Sequence, residues 1–534
     1  MTNLPEAIGN LIAVTGKEDA EKTSQNDADV VSVDDVAARV ASFYEKIRDL
    51  VDWREEHLLR KAAVARVLER RLLLKSGHLS GEEGLETSEQ FIKELVRRGH
   101  FPNRRLPAAK IAEVRQVLDK YAAILRGASF KNLREGRKME EWLVGIASYE
   151  IEITLDPHER ELGLVNFMAG DVASRLKIKG NGNVTEEEAK LQIYVAAHRA
   201  LFKMDDAVVS YCLLENFYRD WHNLTEETIT SVAAHLMEIK AAIDKILNNP
   251  LSESFYNIAE RYDTPYLILG DLVFENPAAF PELISQPEKL DSKIKDSYKA
   301  RLVRLKGRIG RAAFYSTVSI FLGKVLVVLA LEIPVDRYMR GHFNYVAMLT
   351  SILVPPILML FLVAGSKITS TANFEEVKGR VKSLIAGVGL TDYYVYFPKK
   401  KGSLLRVVLQ FLYFSSFIVS FGFVWWLLLK AGFGPFSIIV FMLFMSLVAF
   451  AGTKIQQHGM ELMVGETKRG FIAGLLDFFF LPVIELGRWL SRQLARYNGI
   501  VFIFNFLIET PIQVFVEFLE QWRAFLKEKK EEIH

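Results

Sequence analysis

The sequence predicts an all-α protein, with a helical soluble N-terminal domain followed by a multi-span α-helical membrane domain. Three observations point that way. Half of the 534 residues are hydrophobic, and the long uninterrupted apolar runs all lie in the second part of the chain. Charge divides the same way: residues 1–290 carry 37 basic and 48 acidic side chains, net −11, and residues 291–534 carry 30 and 17, net +13, giving the formal +2. Elsewhere apolar residues recur at three- and four-residue steps, the spacing of a helix face, while alternating strand-like runs are few.

Residues 1–32 read as a disordered acidic lead-in, because 16–32 are polar and poor in large apolar groups. No basic stretch followed by an apolar core opens the chain, so no secretory signal is expected. Residues 33–290 read as a cytosolic all-α domain. Val36, Val40, Phe43, Ile47 and Leu50 form one stripe, and further helices are expected near 87–99, 107–126, 138–154, 187–217 and 225–247. Gly, Pro and Asn clusters separate them. Thr185 and Glu188 resemble a capping box. The Pro-containing segment 261–290 reads as irregular structure with short helices.

Residues 291–313 form a basic juxtamembrane helix, with eight Lys or Arg in 293–311 against the single acid Asp296. Residues 314–452 then hold four transmembrane helices, at 314–331, 345–365, 407–429 and 436–451, each near the length that crosses a bilayer. The basic loops 366–404 and 452–470 belong inside and the short connections 332–344 and 430–435 outside. This gives a multi-pass protein of the plasma (inner) membrane with both termini cytoplasmic.

Residues 453–534 form a C-terminal amphipathic or re-entrant helical hairpin, or two further spans. In the first arm Phe479, Val483, Leu486, Leu490 and Leu494 make an apolar seam, and Arg488, Arg492 and Arg496 form a basic face suited to headgroups. The second arm is acidic on its polar face, through Glu509, Gln513, Glu517 and Glu520.

Lys324 lies within the first span, where an ionisable group is costly and marks a candidate site. Asp477, Glu485 and Glu509 are its expected partners in an intramembrane charge cluster. Pro355 and Pro356 interrupt the second span; the pair removes two amide donors and leaves carbonyls free. In 148–161, Glu150, Glu152, Asp156, His158 and Glu159 cluster, and a solvated acidic face is expected rather than a metal centre. Cys212 sits among apolar neighbours and reads as an inert thiol.

Phosphate-loop, dinucleotide-binding, zinc-protease, nucleophile-elbow and paired-cysteine motifs are all missing, so no cofactor is expected and common enzyme classes are disfavoured. The acidic N-terminal half excludes nucleic acid as its main partner. Anionic headgroups are the expected partner of the basic segments, and a protein partner or a second copy that of the domain. The leading expectation is therefore a non-enzymatic, membrane-anchored scaffold or interaction protein presenting a helical domain at the cytoplasmic face. The alternative is a transporter or channel with a regulatory cytosolic domain.

Overall fold

The computed structural model describes residues 5–24, 30–33, 56–70, 82–179, 184–218, 220–340, 344–364, 371–389, 392–396, 403–464 and 471–496, with Phe518 and Trp522. The described chain is helical almost throughout and divides into two units. The first comprises Met1–Ser297 and Val377–Phe397, with the described residues of the C-terminal tail. The second comprises Tyr298–Glu376 and Pro398–Thr510.

In the first unit the helices are α1 (Glu6–Ser24), α2 (Glu56–Arg70), α3 (Glu82–Arg97), α4 (Ala109–Gly127), α5 (Leu133–Leu155) and α6 (Glu159–Ser174). After strand β1 (Leu176–Lys179) come α7 (Glu186–Phe202), α8 (Asp206–Phe217), α9 (Glu226–Ala234), α10 (Leu236–Leu247), α11 (Ser252–Glu275) and the short α12 (Phe280–Ile284). The core is built around α5, whose Leu143, Ile146, Ala147, Tyr149 and Ile151 are buried. It packs on α2, α4 and α8.

Local chemistry sets many boundaries. The side chain of Asn132 accepts from Glu135 N at 2.9 Å, and that of Thr185 from Glu188 N at 3.1 Å, each satisfying an amide with no intrahelical partner. The expected helix over 187–217 is split at Lys203, which is left-handed (φ 52°), and restarts on the Asp205 cap. The one over 225–247 breaks at His235.

Two expectations are corrected. The lead-in over 1–32 is not disordered at 6–24: Ile8, Leu11 and Thr15 make a buried seam on α6, and Glu18 accepts from Arg160 N at 2.8 Å near the start of that helix. Glu18 is thus buried as a cap rather than solvated. The segment 261–290 is not irregular at its start, because α11 runs through Pro265, with Thr264, Tyr266, Ile268 and Leu269 buried around it. Tertiary burial overrides the proline. One short strand pair accompanies the helices: β2 (Tyr393–Tyr396) pairs in parallel with β1 in register Leu176↔Tyr393 to Lys179↔Tyr396. Four-residue strands are too short for alternation to announce them. The stripe Val36 to Leu50 lies outside the described residues.

The basic segment and first span form one long helix: α13 (Pro287–Val327), a π turn at Val328–Glu332, and α14 (Ile333–Arg340). Then follow α15 (Tyr345–Ala364), α16 (Thr371–Ala386), α17 (Ser403–Lys430), α18 (Pro435–Gly459) and α19 (Phe471–Arg496). Four helices among the described residues are long and apolar enough to cross a membrane: those spanning Pro287–Tyr338, Tyr345–Val363, Val407–Lys430 and Pro435–Gly459. Leu322, Leu326, Phe361 and Phe411 on them are 60–72% exposed. So broad an uncovered apolar surface suits lipid, not water.

Within the second unit α15 and α18 lie side by side in parallel. Asn344 Nδ2 donates to Gly432 O (3.4 Å) at one end, and Gln456 Nε2 to Leu362 O (2.8 Å) at the other. Asn344 and the turn 431–434 therefore share one end of the bundle. At the opposite end the buried Asn373 amide donates to Tyr298 OH and Leu462 O and accepts from Val464 N, at 2.7–2.9 Å.

Candidate functional site

Lys324 is fully buried, and its partner is Glu332, itself 4% exposed. In an unbroken α-helix residues eight apart stand about 80° apart around the axis. The wider π turn between them changes that angle and brings Glu332 to the same side as Lys324. π turns of this kind concentrate at functional sites. The ammonium also lies 5.1 Å from the centre of the Phe444 ring.

Across from it, Ser351 on α15 reaches Glu332 Oε2 at 3.4 Å. Ser351 precedes Pro355 by four residues, so its own carbonyl has no amide to accept from within the helix, and Pro356 leaves Ile352 likewise. The two prolines thus sit one turn from the ion pair. They, Ser351 and Met359 are buried.

This group borders a small cavity with room for one water-sized occupant, lined by Glu332, Asp336, Asn344, Met348, Phe433 and Ser437 among others. Ser437 Oγ donates to Asp336 Oδ2 at 2.9 Å. Asn344 caps α15 through the amides of Val346 and Ala347, both at 3.1 Å.

The expected partners of Lys324 are placed differently. Glu485 pairs with Arg488 at 2.8 Å on α19. Asp477 belongs to α19 by its backbone, but its side chain, like Glu509, lies outside the described residues. Glu332 was hidden from the sequence because it stands at the edge of the apolar run and reads as loop. Of the basic face, Arg492 is exposed and Arg488 half-buried, and the Arg496 side chain is outside the described residues.

α19 packs along α18 and against α17. A Cβ at Gly487 would collide with the carbonyl of Ser446, midway along α18, and Ser420 Oγ donates to Phe479 O at 2.8 Å. The helix is seated on two candidate spans.

In the first unit the expected acidic face of 148–161 is corrected. Glu150 and Glu152 are fully buried, two residues apart and therefore on different sides of α5. Glu150 takes Lys120 Nζ at 2.5 Å, Tyr121 OH at 2.7 Å and His222 Nδ1 at 3.0 Å, and Trp221 Nε1 donates to Tyr121 OH. Burial lowers the Lys120 pKa and the Glu150 charge opposes it. Glu152 bonds His158 Nε2 at 2.9 Å, with Arg60 bridging to Asp156 at 2.5 Å. Burial alone would lower His158; the hydrogen bond and charge of Glu152 overcome it and lift the imidazole to about 9. Burial pushes the Cys212 thiol up, which keeps it unreactive. Burial holds His198 down at about 3. No group of three or more His, Cys, Asp or Glu among the described residues is arranged for a metal ion.

A third polar group fastens 377–397, the segment between the second and third candidate spans, to the first unit. Tyr393 N donates to Arg175 O at 3.0 Å, and the Arg175 guanidinium lies 4.9 Å from the Tyr393 ring centre while pairing with Asp171. Tyr266 OH bonds Asp171 and meets Tyr393 OH at 3.4 Å. Arg380 stacks 4.5 Å over Tyr262, and Lys382 pairs with Asp291 at 2.5 Å. Val377, Val381, Leu384 and Val395 are buried beneath.

The fold gives the make-up of an α-helical membrane protein, with four candidate spans and a large, mostly helical further unit. No family model, curated protein or solved structure matches the chain.

Proposed function

We propose that this chain is a non-enzymatic membrane protein that presents its helical domain at the cytoplasmic face as a platform for a protein partner. The observation that carries the reading is the seat of 377–397 on the first unit through β1–β2 and the Arg175–Asp171–Tyr266–Tyr393 group. A simple tether needs one span. Here the loop between two spans is a structural part of the domain, which a chain retained by one span would not need. Lys295, Lys299, Arg304, Lys306 and Arg311 are exposed on α13 and suit anionic headgroups at about 1 kcal/mol each. In the same reading α19 dips into the bilayer beside α17 and α18 as a re-entrant helix.

The test is crosslinking in intact membranes followed by mass spectrometry, with wild type beside a Tyr393→Ala, Arg175→Ala variant. A discrete set of protein crosslinks to the first unit, reduced when the seat is weakened, supports the platform. Absence of any such crosslink in wild type removes it.

The buried Lys324–Glu332 pair favours a second reading, a transporter or channel regulated by the same domain. Solute or ion flux in proteoliposomes that disappears in Lys324→Gln would put transport in first place.

A further inference from the structure

We propose that the cavity between the π turn and the start of α18 is a binding site for one small monovalent cation, held by Glu332 and Asp336. The proposal does not rest on the platform reading, and its failure would leave that reading intact.

Charge is the first argument. Glu332 and Asp336 bring two negative charges to the cavity wall, and Lys324, paired with Glu332 from below, brings one positive charge. The group is left one negative charge in excess, beside apolar walls such as Met348 and Phe433. One monovalent cation would neutralise it.

Donor chemistry is the second. The polar atoms around the cavity are oxygen-rich: two carboxylates and the Ser437 hydroxyl, which already touches Asp336. Oxygen donors suit hard cations. A divalent ion would want more carboxylates and six or more oxygens, and would be repelled by the nearby Lys324 ammonium. The space admits one water-sized occupant, which excludes an organic cation of any bulk.

The local backbone is the third. The π turn carries Glu332 into the cavity wall, and the Asn344 side chain ties the start of α15 to Gly432 on the far rim. Both walls are thereby fixed by features that an ordinary pair of apolar spans does not require. Lys324 acts as an internal counter-ion to Glu332 and limits how tightly a second cation binds there.

The experiment uses the full-length protein in detergent, with sodium chloride replacing choline chloride at constant ionic strength, and follows unfolding by tryptophan fluorescence. Sodium is expected to raise Tm saturably by a few degrees over choline, as a ligand that binds only the folded state does. Asp336→Asn is the main variant, because Asp336 is partly exposed and an asparagine side-chain oxygen can still accept from the buried Ser437 hydroxyl. Measured against its own Tm in choline, it should weaken the sodium response by about tenfold or more. Ser437→Ala should weaken it less. Lys324→Gln, where it folds, should bind sodium more tightly. Wild type that unfolds at the same temperature in sodium, lithium, potassium and choline would overturn the proposal. So would a sodium response unchanged in both Asp336→Asn and Ser437→Ala.

Discussion

Glu150 shows how a buried charge becomes a structural keystone. Its carboxylate receives a lysine, a tyrosine hydroxyl and a histidine within 2.5–3.0 Å while wholly shielded from water. Glu150→Ala would leave the Lys120 ammonium buried among Tyr121 and Trp221 with its charge partner removed, a loss of about 3–5 kcal/mol. Glu150→Gln, which keeps the shape and some hydrogen bonds, should cost less. Denaturant titration of the full-length protein in detergent checks the order. His158 makes a pH-dependent contribution. Its folded-state pKa of about 9 lies above the ordinary 6.5, so the stabilisation is complete below pH 6.5 and is lost as pH rises through 9. Tm should therefore fall across that window, and His158→Gln should flatten that part of the profile. The glutamates of 148–161 could not be assigned from sequence, because a carboxylate that will be solvated and one that will meet Lys120 from a distant helix look alike in a local window.

Among the elements, α19 packs through a close backbone approach at a single residue. Gly487 lets its backbone approach the Ser446 carbonyl on α18, a position where even a methyl group would collide. Gly487→Ala should loosen the contact and Gly487→Leu should displace the helix. The measurement is the rate of tryptic cleavage at Arg492, which should rise in the order wild type, Ala, Leu. An unchanged rate in the leucine variant would mean that α19 is held by other contacts. The proposed re-entrant path of α19 predicts that a cysteine at position 499, in a Cys212→Ser background, labels with an impermeant maleimide in inverted vesicles and not in intact cells. Helices were the legible part of this chain. Apolar periodicity and the capping residue at Thr185 announce them, and composition announces the four apolar spans. What stayed hidden was non-local: α1 reads as solvated until α6 is placed against it, and β1 and β2 are recognisable only as a pair more than 200 residues apart. The π turn has no sequence mark at all, so Glu332 could not be named as the partner of Lys324.

For the molecule as a whole, the first unit is not contiguous in sequence. Residues 1–297 alone would lack β2 and the buried Val377, Val381 and Leu384, leaving the edge of β1 and an apolar seat open. Such a fragment is expected to be less soluble and more protease-sensitive than a version in which a linker joins 297 to 371–397. Size-exclusion chromatography and limited proteolysis of the two constructions decide this, and equal behaviour would mean the seat is dispensable. The same discontinuity bears on how the chain is made. A ribosome adds about 5–20 residues per second, so β2 emerges on the order of 5–20 s after residue 297. Two hydrophobic helices must be integrated in that interval. A nascent chain that left 377–397 on the wrong side of the bilayer could never complete its own first unit, and its open seat would mark it for degradation. Correct membrane insertion is thereby read out by the folding of a domain that was translated before it.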